Sequence, residues 1–284
     1  MDDLKRYEEL VKTVEYHNDR YYNQDDPEIS DYEYDMMMKE LKKIEKDHPE
    51  FVTPNSPTQH VGGSAKREAG VLVRHRVPML SLQDVFSKEE VQDFVKSMQE
   101  TLVDPVFVVE YKIDGLSMAL RYENGLLTTA ITRGDGIIQG EDVTVNAKVI
   151  KDVKNKLKEP IEYLEVRGEV YMTNEAFDKV NEIQELNNKK TFANPRNCAA
   201  GTLRQLDSRI TKQRNLSMFI FNIQDIRGKE ITSHSQGYEY LKIQGMKVID
   251  NYQVCHNFEE VWKAIEMIGE SRDQLGYDID GAVV

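Results

Sequence analysis

The chain has 284 residues, 39% hydrophobic and 31% charged, enough apolar material for one large or two medium cores under a well-solvated surface. Its formal net charge of −13 argues against a general nucleic-acid-binding surface, so any contact with nucleic acid has to be local or supplied by other parts of a longer protein. No apolar run of membrane-spanning length and no signal-peptide pattern occur, and the two cysteines, Cys198 and Cys255, lack CxxC spacing and clustered histidines; this predicts a cytoplasmic protein with reduced thiols, no membrane partner and no zinc site.

Residues 1–68 read as a small helical module. Leu4, Tyr7, Val11 and Val14 recur at helical spacing, a polar turn follows at Asn23 to Pro27, and Ser30-Asp31-Tyr32-Glu33 fits a capping box. Tyr34, Met38, Leu41 and Ile44 form a second apolar stripe, and the prolines and glycines of residues 53–63 predict a linker. From about residue 69 to 284 the pattern changes to strands mixed with helices. The run from Val106 to Val109 predicts a strand leading into Glu110-Tyr111-Lys112-Ile113-Asp114-Gly115. Asn124-Gly125 between Met118–Tyr122 and Leu126–Ile131 predicts a hairpin. Leu164, Val166, Gly168 and Val170 alternate with polar residues as in a half-buried strand; Leu216–Ile223 and Lys247–Val254 read as further strands. Phe258 to Gly269 reads as an amphipathic helix with Val261, Ile265 and Ile268 on one face. Hairpins without repeated βαβ units predict an α+β fold: a small helical N-terminal module, then an antiparallel-sheet domain.

In a strand, Glu110, Lys112 and Asp114 point to one face, so two carboxylates flank an amine. This suits covalent chemistry at the amine; a solvated strand of alternating charge has the same pattern. Thr132-Arg133-Gly134-Asp135-Gly136 predicts a tight turn in which Arg133 could grip a phosphate, or only a turn. Arg167-Gly168-Glu169 places a basic and an acidic group around a glycine where a ligand could approach the sheet closely, or else a cross-strand ion pair. GxGxxG and GxxxxGK[ST] sequences are both missing, which excludes the Rossmann and P-loop readings.

Lys112-Ile113-Asp114-Gly115 resembles the lysine motif of covalent nucleotidyltransferases, Arg167-Gly168-Glu169 their glutamate motif, and Asp280-Gly281-Ala282-Val283-Val284 their aspartate-glycine motif. The stretch from Phe192 to Asp207 is similar to the signature of bacterial NAD-dependent DNA ligases, and Pro78-Met79-Leu80-Ser81-Leu82 matches the same family. The resemblance covers essentially the whole chain. It implies that residues 1–68 bind the nicotinamide mononucleotide half of NAD and that 69–284 form the adenylation domain. Asp31, Tyr34 and Asp35, on one helix face, and Tyr21 and Tyr22 would hold the cationic nicotinamide. Some family members carry histidine where Tyr22 stands. Glu110, Ser81 and Leu82 would meet the adenine, with Phe221 stacked on it and Glu169 bonded to the ribose. Arg133 would face the AMP phosphate or nearby DNA, and Asp114 and Asp280 would position the lysine and metal. Arg196, Arg204 and Arg272 would contact DNA or the other phosphate.

The implied reaction is attack of Lys112 on the α-phosphate of NAD, giving lysyl-AMP and nicotinamide mononucleotide. A lysine of pKa about 10.4 is neutral only about once in a few thousand at pH 7. Desolvation, Arg133 and Mg²⁺ are expected to lower that pKa, and Glu110 and Asp114 to oppose them, with Mg²⁺ bound mainly through the phosphates. The chain stops at Val284, where the family continues with a lysine-bearing strand and further domains. A fragment that binds NAD, acts as a monomer and needs the full-length enzyme to seal nicked double-stranded DNA is therefore expected. An ATP-dependent nucleotidyltransferase and a non-catalytic NAD-binding module remain the alternatives.

Overall fold

The structure, a computed structural model, describes residues 3–20, 28–53, 56–59 and 70–284. The chain forms two compact units: Met1–Leu80 with Arg133–Glu141, and Ser81–Thr132 with Asp142–Val284.

In the first unit, helices α1 (Asp3–Asn18) and α2 (Asp31–Asp47) bury Tyr7, Leu10, Val14 and Leu41 between them, with Tyr34, Met38 and Ile44 packed partly against that core. Leu4 is left exposed, because the buried stripe of α1 runs through Leu10 instead. The capping box is present: the Ser30 hydroxyl accepts from the Glu33 amide while the Glu33 carboxylate accepts from the Ser30 amide. The segment predicted as a linker is partly tied down. Glu45 accepts from the hydroxyls of Tyr7, Ser56 and Thr58, and Ser56 is buried. The polar turn at 23–27 and positions 54, 55 and 60–63 lie outside the described residues. Strand β1 (Leu72–Arg74) pairs antiparallel with β5 (Gln139–Glu141).

The second unit is built on two antiparallel sheets. In chain order it contains α3 (Lys88–Thr101), β2 (Phe107–Ile113), β3 (Leu116–Glu123), β4 (Leu126–Thr132), α4 (Thr144–Ala147), β6 (Tyr163–Tyr171), α5 (Asn174–Leu186), α6 (Pro195–Leu203), α7 (Ser208–Gln213), β7 (Ser217–Arg227), α8 (His234–Ile243), β8 (Gln253–Cys255), α9 (Phe258–Ser271) and β9 (Ile279–Val283). One sheet has the order β4-β3-β6-β7, the other β8-β2-β9. The β3–β4 hairpin turns on Asn124 and Gly125, with φ of 50° and 78°, as a primed turn requires. Leu120, Leu164, Val166 and Val170 fill the core of the first sheet; Val109, Ile113, Val261, Ala264 and Ile268 fill that of the second, beneath α3 and α9.

Two strand expectations are corrected. Strand β6 is not half-solvated along its length: Glu165 is 0% exposed and accepts from Arg121 Nε at 3.0 Å and the Tyr163 hydroxyl at 2.6 Å. A buried charge is tolerated when it is paired in this way. Lys247–Val254 is not one continuous strand. Only Gln253–Cys255 pairs with β2, while Val248 makes an isolated parallel bridge to Ile220. Consecutive residues there serve different cores, Val248 the first sheet's and Ile249 the second's, so no single ladder can form.

Candidate active site

Strand β2 delivers the lysine. Its pairing with β9 sets Lys112 opposite Gly281, and the register shifts between Lys112 and Ile113, so the strand ends one residue before Asp114. The shift falls after Lys112, so it separates Asp114 from the alternation that Glu110 and Lys112 share, and each of the three side chains has a different partner. Lys112 Nζ donates to Asp280 Oδ2 at 2.9 Å. Asp114 Oδ1 lies 3.5 Å from Arg196 Nη1, at the start of α6. Glu110 Oε2 accepts from the Tyr238 hydroxyl at 2.5 Å and lies 3.2 Å from His234 Nε2.

The motif glycines serve the sheets' own backbones. A Cβ on Gly115 would stand 2.1 Å from the Val170 carbonyl oxygen, and one on Gly168 would stand 2.3 Å from that of Phe219. The close approach expected of a ligand at Gly168 is thus made by β7. Glu169 Oε2 accepts from Ser117 Oγ at 2.9 Å, and Arg167 Nη2 donates to the same hydroxyl at 3.1 Å. Ser117 therefore bridges the two charges. Phe219 stacks on Tyr171 at 5.2 Å beneath Lys247 Nζ, whereas Phe221 lies 5.5 Å from the Arg167 guanidinium. Of the two phenylalanines, Phe221 is the one beside the site's charged residues.

The electrostatics join Lys112, Glu169 and Arg196 into one constellation. Burial alone would lower the pKa of Lys112, but the charge and hydrogen bond of Asp280 more than reverse it, with Arg196 pulling down and Glu169 up; the ammonium is held above the ordinary lysine value. Burial raises the Glu169 carboxyl, against the pull of Arg196, Ser117, Lys112 and Arg167. The dominant opposing carboxylate is thus Asp280, not Glu110 or Asp114, and Arg196 belongs to this cluster.

Other predicted residues are placed elsewhere. Arg133 belongs to the first compact unit, where its Nε donates to the Met79 carbonyl at 3.2 Å and Asp135 caps the amides of Ile137, Ile138 and Gln139. Ser81 and Leu82 are exposed at the start of the second unit. Tyr34 and Asp35 are half-buried on α2, and the Tyr34 hydroxyl donates to Asn18 at 2.7 Å. Tyr21, Tyr22 and the side chain of Asp31 lie outside the described residues. Arg272 donates to the Ile279 carbonyl in the wall of a cavity of about 270 Å³ beside Asp114. Ser117, His234 and Tyr238 were missed by the sequence reading. Ser117 could have been found as the register partner of Glu169, whereas nothing local marks the other two.

Among the described residues, no helix is long and apolar enough to cross a membrane, and no three His, Cys, Asp or Glu side chains gather to hold a metal ion. A lysine held by an aspartate, with a half-buried glutamate and an arginine close by on antiparallel sheets, suits a nucleotidyltransferase that works through a lysine. Residues 70–284 match the family described as NAD-dependent DNA ligase adenylation domain, and residues 1–62 match DNA ligase-like, N-terminal NAD+-binding domain; the chain belongs to the NAD-dependent DNA ligase family. It is 55% identical over 284 residues to a DNA ligase of Clostridium kluyveri, covering 100% of this chain and 42% of that protein. A DNA ligase of Caldicellulosiruptor saccharolyticus is 52% identical over 282 residues, or 99% of this chain and 41% of the relative. The chain therefore spans less than half the length of these relatives.

Proposed function

We propose that residues 69–284 catalyse self-adenylation from NAD and that residues 1–68 hold the nicotinamide mononucleotide half through Tyr21, Tyr22, Asp31, Tyr34 and Asp35. The observation that carries this reading is the Lys112–Asp280 pair, ringed by Glu169 and Arg196, in a chain of this family. The Lys112 amine bonds to the α-phosphorus. The bond from that phosphorus to the bridging oxygen breaks, and its electron pair leaves with nicotinamide mononucleotide. Asp280 Oδ2 is within hydrogen-bond reach of the proton the amine must lose. Glu110, Ser81 and Leu82 meet the adenine, Phe221 stacks on it, and Glu169 accepts from the ribose. Arg133 faces the AMP phosphate or nearby DNA, and Asp114 with Asp280 positions the lysine and the metal.

The described residues supply no all-protein magnesium cage, and Asp280 and Asp114 are already engaged by Lys112 and Arg196 respectively. Mg²⁺ fits this site as an ion carried by the substrate's phosphates with Asp280 and Asp114 nearby. Its charge would offset those carboxylates and the charge developing on phosphorus. The adenylate is destined for nicked double-stranded DNA in a cytoplasmic, monomeric ligase of the relatives' length.

Intact-mass measurement after incubation with NAD and Mg²⁺ tests the proposal. The expected result is a gain of one AMP from NAD and not from ATP, abolished by Lys112→Ala. Transfer from ATP alone would make the protein an ATP-dependent enzyme. An unchanged mass with NAD-dependent thermal stabilisation, repeated in a protein extended to the relatives' length, would make it a binding module.

A further inference from the structure

Glu110 is 6% exposed, and its two oxygens differ. Oε2 receives both the Tyr238 hydroxyl and the His234 ring; Oε1 takes no side-chain donor among the described residues. His234 and Tyr238 lie four residues apart on α8, hence on one face, with ring centroids 4.5 Å apart. Tyr238 is 1% exposed and packs against Tyr252 at 5.1 Å. Burial, and then the charge of Glu110, push its phenol far above the ordinary range, so it is a donor. Its single proton goes to the carboxylate at 2.5 Å; the alternative acceptor, at 3.1 Å, is the carbonyl of Phe221. One hydroxyl thus touches the residue read as meeting the edge of the base and the backbone of the residue read as stacking on its face.

We propose that Tyr238 and His234 are positioning residues that pin Glu110 Oε2 and aim Oε1 at an exocyclic amino group, making the site selective for a 6-amino over a 6-oxo purine. This rests on the reading of Glu110 as an adenine contact. Adenine offers a donor at its 6-amino group and an acceptor at N1; hypoxanthine offers the reverse. A carboxylate free to swing could satisfy either base, by accepting from the amino group of one or from N1–H of the other. A pinned carboxylate can serve only the group it faces, and against a 6-oxo group it sets two acceptors together, which costs affinity. Selectivity therefore depends on the pin and not on the carboxylate alone.

The test is calorimetric titration of the chain with NAD and with nicotinamide hypoxanthine dinucleotide. Tyr238→Phe keeps the ring in its packing and removes the hydroxyl. It is expected to weaken NAD roughly tenfold, the loss typical of one hydrogen bond to a charged group, and to bring the two affinities together. His234→Leu should move the ratio the same way, and His234→Gln, which still donates, should restore part of it. His234 is exposed, so its variants carry the test should Tyr238→Phe fail to fold. Three results separate the layers. If folded Tyr238→Phe and His234→Leu keep the wild-type ratio while Glu110→Ala loses it, the positioning role is wrong and the adenine contact stands. If Glu110→Ala keeps the ratio, the adenine contact is wrong and this inference falls with it. A wild-type protein that binds both dinucleotides equally overturns the inference outright.

Discussion

At the scale of single residues, the site holds Lys112, the nucleophile proposed above, in the wrong protonation state for attack. Lys112 is 40% exposed at its side chain, yet Asp280 keeps it protonated above the ordinary lysine value. The sign of the resulting pH dependence follows. The neutral amine reacts, so reactivity rises with pH towards a pKa that Asp280 has moved upward. Asp280→Asn removes the raising charge and leaves burial and Arg196, which lower the pKa, against the smaller raising effect of Glu169. The rising limb should move to lower pH. Peptide-mass mapping of Lys112 modification by an amine-selective imidoester, across pH, reads this without substrate; a limb that stays or moves up contradicts it. Asp280 was legible as part of an aspartate-glycine motif and, through the family resemblance, as a residue positioning the lysine; spacing alone does not pair it with a lysine 168 residues away. That pairing is made by the β2–β9 register. The same distance effect hid Tyr238, which is 128 residues from Glu110.

At the scale of elements, what depends on neighbours in sequence was readable, and what depends on a neighbouring strand was not. The Ser30–Glu33 box and the Asn124-Gly125 hairpin follow from four or fewer residues each. Glu165, by contrast, looks solvent-facing by alternation and is fully buried, because Arg121 comes to it from β3. Gly168 looks like a place for a ligand and is filled by β7. Its substitution therefore probes the sheet more than the ligand. In Gly168→Ala the new carbon meets the Phe219 carbonyl oxygen, backbone that cannot rotate away, and Met218 and Ile220 crowd it further. Overpacking of this kind costs about 1–3 kcal/mol. The β6–β7 register already shifts at Arg167/Gly168, so a further shift would carry Glu169 with it. Denaturant unfolding should show a lower midpoint at an unchanged slope, together with weaker NAD binding. Full stability with lost binding would instead restore the ligand-approach reading of this glycine.

At the scale of the whole molecule, charge is segregated. The chain carries −13 overall, yet residues 189–214 hold seven Lys or Arg against one acidic residue, Asp207. This stretch includes the segment whose sequence resembles the ligase signature, and it folds as α6 and α7 with the loops around them. Not every charge there is available: Arg196 pairs with Asp114, Arg209 with Asp207, and Arg214 lies over Phe192. Lys189 and Lys212 are exposed, and both are suited to phosphate contact. At about 0.15 M salt the screening length is about 8 Å, so a local basic surface acts on the phosphates it touches while the remaining acidic surface is screened. Each phosphate neutralised contributes about −0.9 to the slope of log K against log salt. On the proposal that this segment faces DNA, Lys189→Gln and Lys212→Gln should each weaken binding of a nicked duplex and flatten that slope by about 0.9. Lys96→Gln, on the exposed face of α3 beside Glu100, should leave both unchanged. Fluorescence anisotropy over a salt series gives the slopes; equal effects of all three substitutions would mean that DNA senses only net charge, and the basic segment would lose its claim as the DNA-facing surface.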